Sequence, residues 1–408
     1  MSFLIYLSLG LIIFFYEINR KKSYLFDAIF FSNFFYFLFY VLTPVTCIAI
    51  PEWQNKTGVF ALYIGDLYRV DLALVPFFAY IILLLGWQVG DLKKISPFNF
   101  LLSTRSEKKL IYFGFFVGIV AYMAYASSYG GIVNSLILGS SLRYGRISAE
   151  SYDIGVSGVF KHFIFSLDLI LLYYTCKYYE KYYSFAKDDY IIAIIAFCAV
   201  ILYALSSSSR GAIITLIFSV LAVRTYNDQA RLKYILTNRR NLRFFILLPI
   251  ILLIILYGKQ FFYALPELIN GDLDSFTTEF NLLNDIRISE DTNFLRDTLM
   301  KESSHGLVSL AAAIDDFMPT GNYLFFRDYL LLPLHIVPMN LLGVSIELPP
   351  TVSVINTDLV NGLFVASSPP GMIAHLIYNM GYLGLIFIFF YGLAGKIIQN
   401  RLIKTNYS

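Results

Sequence analysis

The residues of this chain best suited to chemistry stand at two points where serine-rich turns lead into apolar segments. Ser206-Ser207-Ser208-Ser209-Arg210-Gly211 is the first. Serine oxygens accept hydrogen bonds from the free N–H groups of a first helical turn, and those groups give the helix start a partial positive charge. Arg210 stands at that same positive end, which disfavours a cation unless an anion is bound there. Ser209 and Arg210 therefore suit a phosphate. The plainer reading has the serines capping the helix while Arg210 reaches toward lipid phosphates. Ser367-Ser368-Pro369-Pro370-Gly371 repeats the pattern: serine for the cap, proline for a first turn that has no use for its missing N–H, glycine for close approach. Pro370 and Gly371 mark a second candidate anion site, with His375 one turn further on. That histidine can serve as ligand or base, or simply bond to a neighbouring helix.

Two further groups could join them. In Leu142-Arg143-Tyr144-Gly145-Arg146 the arginines are three apart and would share a face if helical, where their forks could hold phosphate or carboxylate oxygens. Pairing with Glu150 or Asp153 is the alternative. Glu302-Ser303-Ser304-His305 precedes an apolar run that ends in Asp315-Asp316 and reads as an amphipathic or re-entrant helix. His305 is a candidate general base, because an attacking hydroxyl must lose its proton and imidazole titrates near neutrality. Glu302, Asp315 and Asp316 compete for that role, and the same residues also fit a solvated helix end. Arg327, beside Asp328, is placed to meet a lipid or substrate phosphate.

The scaffold that must position these groups is a membrane one. The chain is 58% hydrophobic, 18% aromatic and only 14% charged, with a mean hydropathy of +0.65. Apolar runs of the roughly 20 residues needed to cross a bilayer recur along it. They lie near 3–16, 25–50, 72–90, 110–127, 159–176, 190–205, 211–223, 244–258 and 372–395. The expected fold is an all-α polytopic membrane protein with at least nine transmembrane helices. Residues 324–346 could dip into the bilayer, although Pro333, Pro338, Pro349 and Pro350 favour short interfacial helices. The first run has no basic stretch before it and no small-residue cleavage site after it, and reads as a retained helix. Gly381 and Gly384 read as packing positions.

Basic residues mark the cytoplasmic side of such a protein. They collect in every second connection, after the runs ending near 16, 90, 176, 223 and 395, and roughly two-thirds of the 31 Lys and Arg lie there. The connections 51–71, 128–158, 206–210 and 259–371 then face outward. The chain divides into N-terminal membrane helices (1–258, with the outer loop 128–158), a large outer loop with short interfacial helices (259–371), and a last helix with its tail (372–408), all one integrated membrane domain. Cys47, Cys176 and Cys198 lack metal-ligand spacing, and no phosphate loop, HExxH motif or nucleic-acid-binding basic tract is present. No metal and no cofactor is expected, and no repeat relates two halves in the manner of many transporters.

SSSSRGA opening a helix, SLRYGR in an outer loop, SSHGLVSL followed by AIDD, then ELPPTVSVINTDL and SSPPGMIAHLIYNMGYLGLIFIFFYGL form an ordered set. Together they resemble the O-antigen polymerases of the Wzy type, which join oligosaccharide repeat units in bacterial surface polysaccharide assembly. The resemblance covers most of the chain and is sharpest over 300–395. It implies an architecture similar to the C-type glycosyltransferases, in the bacterial inner membrane with the active site on the outer face. It also implies transfer of a growing glycan from undecaprenyl diphosphate to a new lipid-linked repeat unit, with a chain-length regulator and a flippase as further partners. By position, Arg143, Arg146, Arg210 and the Pro370-Gly371 turn correspond to the family's functional loops, with His305 at the polar centre. An O-antigen ligase and a flippase or transporter for lipid-linked oligosaccharides are the rival expectations.

Overall fold

The computed structural model describes residues 1–20, 27–53, 64–92, 104–143, 157–179, 186–209, 212–214, 216–217, 247–285, 294–331, 349–361 and 370–405. Among these there is no strand. Six helices are long and apolar enough to cross a membrane, the architecture of a multi-pass helical membrane protein.

Helix α1 (Ser2–Asn19) is followed by α2 (Ala28–Ala49) and α3 (Val70–Leu92). Pro44 cannot donate a backbone hydrogen bond inside α2. The helix widens there into a π turn over Leu38–Leu42, and the Thr43 hydroxyl donates to the Leu38 carbonyl at 2.8 Å. Next come α4 (Thr104–Ser128), α5 (Ile132–Arg143), α6 (Ser157–Tyr179) and α7 (Lys187–Ser206). Helix α8 (Leu247–Ile269) turns back through Gly271 into α9 (Leu273–Asp285), and the pair is joined by the rings of Tyr257, Phe261, Phe276 and Phe280. Then follow α10 (Phe294–Ala312), continued by a π turn over Ala313–Phe317, and the single turn α11 (Arg327–Leu330). Helix α12 (Val352–Asn361) leads to α13 (Met372–Met380), and a 3-10 turn from Gly381 joins that to α14 (Ile386–Thr405).

These helices enclose two apolar cores. The terminal core draws on α1, α2 and α3 from the start of the chain and on α10, α12, α13 and α14 from its end. Its tightest seam lies between α3 and α14. A Cβ on Gly86 would stand 2.0 Å from the Phe389 carbonyl oxygen, and one on Gly392 would stand 2.3 Å from that of Leu83. Only glycine lets the two backbones approach so closely. The central core is made by α4, α5, α6 and α7, with Tyr122, Tyr125, Ile164, Leu167 and Val200 at its middle. Helix α8 touches both, packing on α5 and on α10.

Ion pairs join segments that the charge pattern assigns to the same side. Arg20 holds Asp27, Lys177 reaches Glu107 at 3.5 Å and Lys396 reaches Asp91 at 3.1 Å, all between basic connections. Arg69 and Asp315 meet between two connections of the opposite set. The α13-to-α14 segment differs from expectation in one respect: the last apolar run is not one straight helix. Gly381 adopts a φ of 58° and breaks it, while Gly384 packs with its would-be Cβ 2.3 Å from the Leu376 carbonyl oxygen.

Candidate functional site

The break at Gly381 leaves the last carbonyls of α13 without helical partners, and a neighbouring segment uses them. Leu324 N–H donates to the Tyr378 carbonyl at 3.2 Å, and Phe325 N–H to the Asn379 carbonyl at 3.0 Å. Phe326 N–H donates to Asn379 Oδ1 at 2.6 Å, while Asn379 Nδ2 donates to the His375 carbonyl at 2.8 Å. Phe325 and Phe326 are held with φ of 46° and 57°. Left-handed backbone at a bulky residue costs on the order of 1 kcal/mol or more and persists only when its surroundings impose it. Here it turns the chain so that Arg327 and Asp328 face back toward α12 and α13.

Asp328 Oδ2 accepts the Val352 N–H at 2.7 Å and so serves the start of α12. Arg327 donates from one terminal nitrogen to the Pro350 carbonyl at 2.9 Å, but among the described residues its buried Nε has no hydrogen-bond partner. The His375 ring meets that of Tyr329 edge-on at 5.5 Å, and its Nε2 is likewise buried and unpartnered. A buried polar group left unpaired costs about 1–3 kcal/mol, more when charged. One of these atoms thus lies in the first turns of α13, and the other belongs to Arg327, two residues before the Tyr329 whose ring meets His375. The start of α13 carries no side-chain cap, and Gly371, at its N-cap, has a φ of 77°. Pro370 stands one position outside it, rather than in the first turn; Ser367 and Ser368 lie outside the described residues.

Tyr40, at the π turn of α2, reaches into the same region. A Cβ built on Gly306 would stand 3.3 Å from its hydroxyl oxygen, and one on Gly371 3.9 Å. His305 is therefore carried, beside Gly306, to within one side chain's breadth of the α13 start. It is half-buried, next to the buried Ser303 and Ser304. Asp315 and Asp316 sit elsewhere: exposed on the π turn, about 15 Å further along the helix axis from His305 at the usual helical rise. Asp315 pairs with Arg69, whose Nε and other terminal nitrogen hold Asp71 at 3.2 and 2.5 Å. Hydrogen bonds to Asp71 and then Asp315 hold the Arg69 guanidinium above its ordinary range, outweighing its burial. Burial pushes the nearby Asp66 carboxyl up, against the pull of Arg69.

The serine turn belongs to the other core. Helix α7 ends with Ser208 N–H donating to the Leu205 carbonyl at 3.0 Å and Ser209 N–H to that of Ala204 at 2.9 Å. This is the closure normally completed by glycine in the left-handed conformation; Ser208 supplies it with a φ of 49° and a buried Oγ that has no partner. Ser209 then accepts the Ala212 N–H at 3.2 Å, as a helix cap does. Helix α5 lies against this turn, for a Cβ on Gly139 would stand 2.1 Å from the Ser206 carbonyl oxygen. Ser140 donates to the Phe262 carbonyl of α8. Arg143 is thereby carried at the end of α5 beside the serine turn. Arg146 and Arg210 lie outside the described residues, as do the side chains of Arg143 and Glu302.

Sequence reasoning passed over Arg69, Tyr40, Tyr329 and Asn379. The one local signal was Asp66-Leu67-Tyr68-Arg69-Val70-Asp71, a charged cluster at the outer start of α3. Among the described residues no group of three or more His, Cys, Asp or Glu is placed to hold a metal ion. Comparison of the chain with protein-family models, curated proteins and solved structures finds no match.

Proposed function

We propose that this protein is a membrane glycosyltransferase that polymerises lipid-diphosphate-linked oligosaccharide repeat units in the bacterial inner membrane, at its outer face. The observation that carries the reading is the corner formed by Arg327, His375 and the uncapped start of α13. A buried guanidinium N–H and an imidazole nitrogen, both unpartnered among the described residues, accompany a helix start whose N-cap is a glycine with no side chain to cap it, in a protein of membrane-length helices. An anionic group entering from the bilayer surface would satisfy all three. The ordered motifs that resemble the O-antigen polymerases give that anion its identity as a lipid diphosphate.

In the reaction, an acceptor hydroxyl oxygen bonds to the anomeric carbon of the donor glycan as the bond from that carbon to the diphosphate oxygen breaks. The leaving electron pair stays on the diphosphate, where Arg327 and the α13 N–H groups stabilise it; Arg210, Arg143 and Arg146 are the further cations proposed for the same work. The hydroxyl proton passes to a base, for which His375 and His305 are the candidate imidazoles among the described residues. Neither a nucleotide nor a metal is needed for charge stabilisation of this kind. No separate observation favours a transporter.

Cells lacking the gene, complemented with Arg327→Ala at equal protein level, should carry single repeat units and lose long chains on a polysaccharide gel. Chains of normal length would sink the assignment, and a bare lipid core after gene deletion would replace it with a ligase.

A further inference from the structure

The cluster around Arg69 is separate from the anion corner, and its make-up suits a different ligand. One guanidinium is shared by two carboxylates, Asp71 and Asp315, which leaves the group with an excess of acceptor oxygens. It is half open: Arg69, Asp71 and Asp315 are 28%, 48% and 39% exposed. Two tyrosines border it. Tyr382 lies within the electrostatic reach of Asp71, Arg69 and Asp315. Tyr323 packs over the break at Gly381, whose would-be Cβ stands 3.0 Å from its hydroxyl oxygen. Beneath the cluster Tyr6 is fully buried, and its hydroxyl, in the field of Asp71 and Arg69, has no hydrogen-bond partner.

An ion pair alone explains little of this, because exposed pairs contribute about 0–1 kcal/mol. A sugar ring explains more. Its hydroxyls donate to carboxylates and accept from a guanidinium, and its C–H face covers a tyrosine ring without giving up hydrogen bonds. Tyr323 also lies only four residues before Arg327, in the segment that α13 holds by its backbone. A saccharide bound here would sit next to the anion corner.

We propose that Arg69, Asp71 and Asp315, bordered by Tyr382 and Tyr323, form a saccharide subsite that holds the acceptor glycan. The assignment rests on the glycosyltransferase reading for the word acceptor, and on the cluster's own chemistry for the word saccharide. It is tested on the full chain in lipid nanodiscs with two probes: the oligosaccharide released by mild acid from the host cell's lipid-linked repeat units, and farnesyl diphosphate. Tyr382→Ala and Asp315→Asn should each weaken oligosaccharide binding by about tenfold and leave farnesyl diphosphate binding unchanged, while Tyr382→Phe, which keeps the ring, binds as the unaltered protein does. Equal oligosaccharide binding by Tyr382→Ala overturns the subsite. So does a loss confined to Asp315→Asn that comes with a lowered melting temperature, since the ion pair is then only structural. Oligosaccharide binding by a protein that makes no polymer would leave the subsite standing and remove the polymerase reading.

Discussion

Helices from opposite ends of the chain make the terminal core, and polar side chains cross between them; the central core is made by sequence neighbours that meet mainly through leucine, isoleucine and tyrosine. In the terminal core Lys396 of α14 reaches Asp91 of α3 at 3.1 Å, and near it, among the first three helices, Arg20 grips Asp27 and Glu17, Asn33 donates to Glu17 at 2.7 Å, and Tyr80 donates to Asn33 at 2.9 Å. Elsewhere in the same core Arg69 of the first part of the chain pairs with Asp315 of the last, and the rings of Tyr329 and His375 meet. The central core has lighter links: Ser166 Oγ donates to the Gly114 carbonyl at 2.9 Å and the Tyr174 hydroxyl to Asp189 at 3.3 Å, while Tyr125 packs edge-on against Tyr129 and Tyr203. The contrast bears on function. Helices separated by hundreds of residues must find one register, and polar pairs with a fixed geometry can specify it. The core that spends stability on such groups also holds the unpartnered nitrogens of the candidate site.

The sharpest way to break this comparison is to add one methyl group to each core. Gly86→Ala drives a carbon to 2.0 Å from a backbone oxygen of α14. The helices must separate, and the loss should be roughly 3 kcal/mol or complete failure to fold, read as a lost monodisperse peak on size exclusion. Gly114→Ala in the central core meets only the Ile170 side chain at 3.7 Å; its effect should stay within about 1 kcal/mol. Equal tolerance of the two would contradict the close seam.

A second pair of variants tests the polar groups. Asp27→Ala leaves Arg20 buried without its bidentate partner, the two side chains being 5% and 8% exposed. It should destabilise the protein by about 3–5 kcal/mol. Lys177→Ala removes a half-open pair with Glu107 at the edge of the central core and should cost no more than about 1 kcal/mol. Thermal melting in detergent, followed by tryptophan fluorescence, compares them directly.

The smallest effect has the opposite sign. Ser208→Gly relieves left-handed backbone and removes a buried unpartnered hydroxyl, so it should raise stability by about 1 kcal/mol. A lowered melting temperature would mean that the Ser208 side chain contributes a contact that this account omits.

The membrane helices were legible because composition and run length suffice to find them. Six are confirmed as membrane-length among the described residues, against nine expected runs. The run at 159–176 forms the helix α6, which carries Lys161, Asp168 and Lys177. The Ser209 cap was legible for the same local reason. What the sequence concealed is mostly long-range. Residues 259–371 read as an outer loop, yet Leu307 and Leu310 of α10 are fully buried in the terminal core, and the boundary at 258 falls within α8. Asp315 read as a rival to His305 for the role of general base because the two are close in sequence; its partner in the structure, Arg69, is 246 positions away. A single sequence records periodicity, caps and turns, which are local, while the pairing of distant helices depends on side-chain fit that no local pattern encodes.

The most direct test of the central claim is glycan synthesis by the purified protein in liposomes that contain only lipid-linked repeat units. The account predicts a ladder of longer lipid-linked glycans from the unaltered chain, and none from Arg327→Ala at equal incorporation. A ladder from Arg327→Ala that matches the unaltered protein, or no ladder from the unaltered protein, would contradict it.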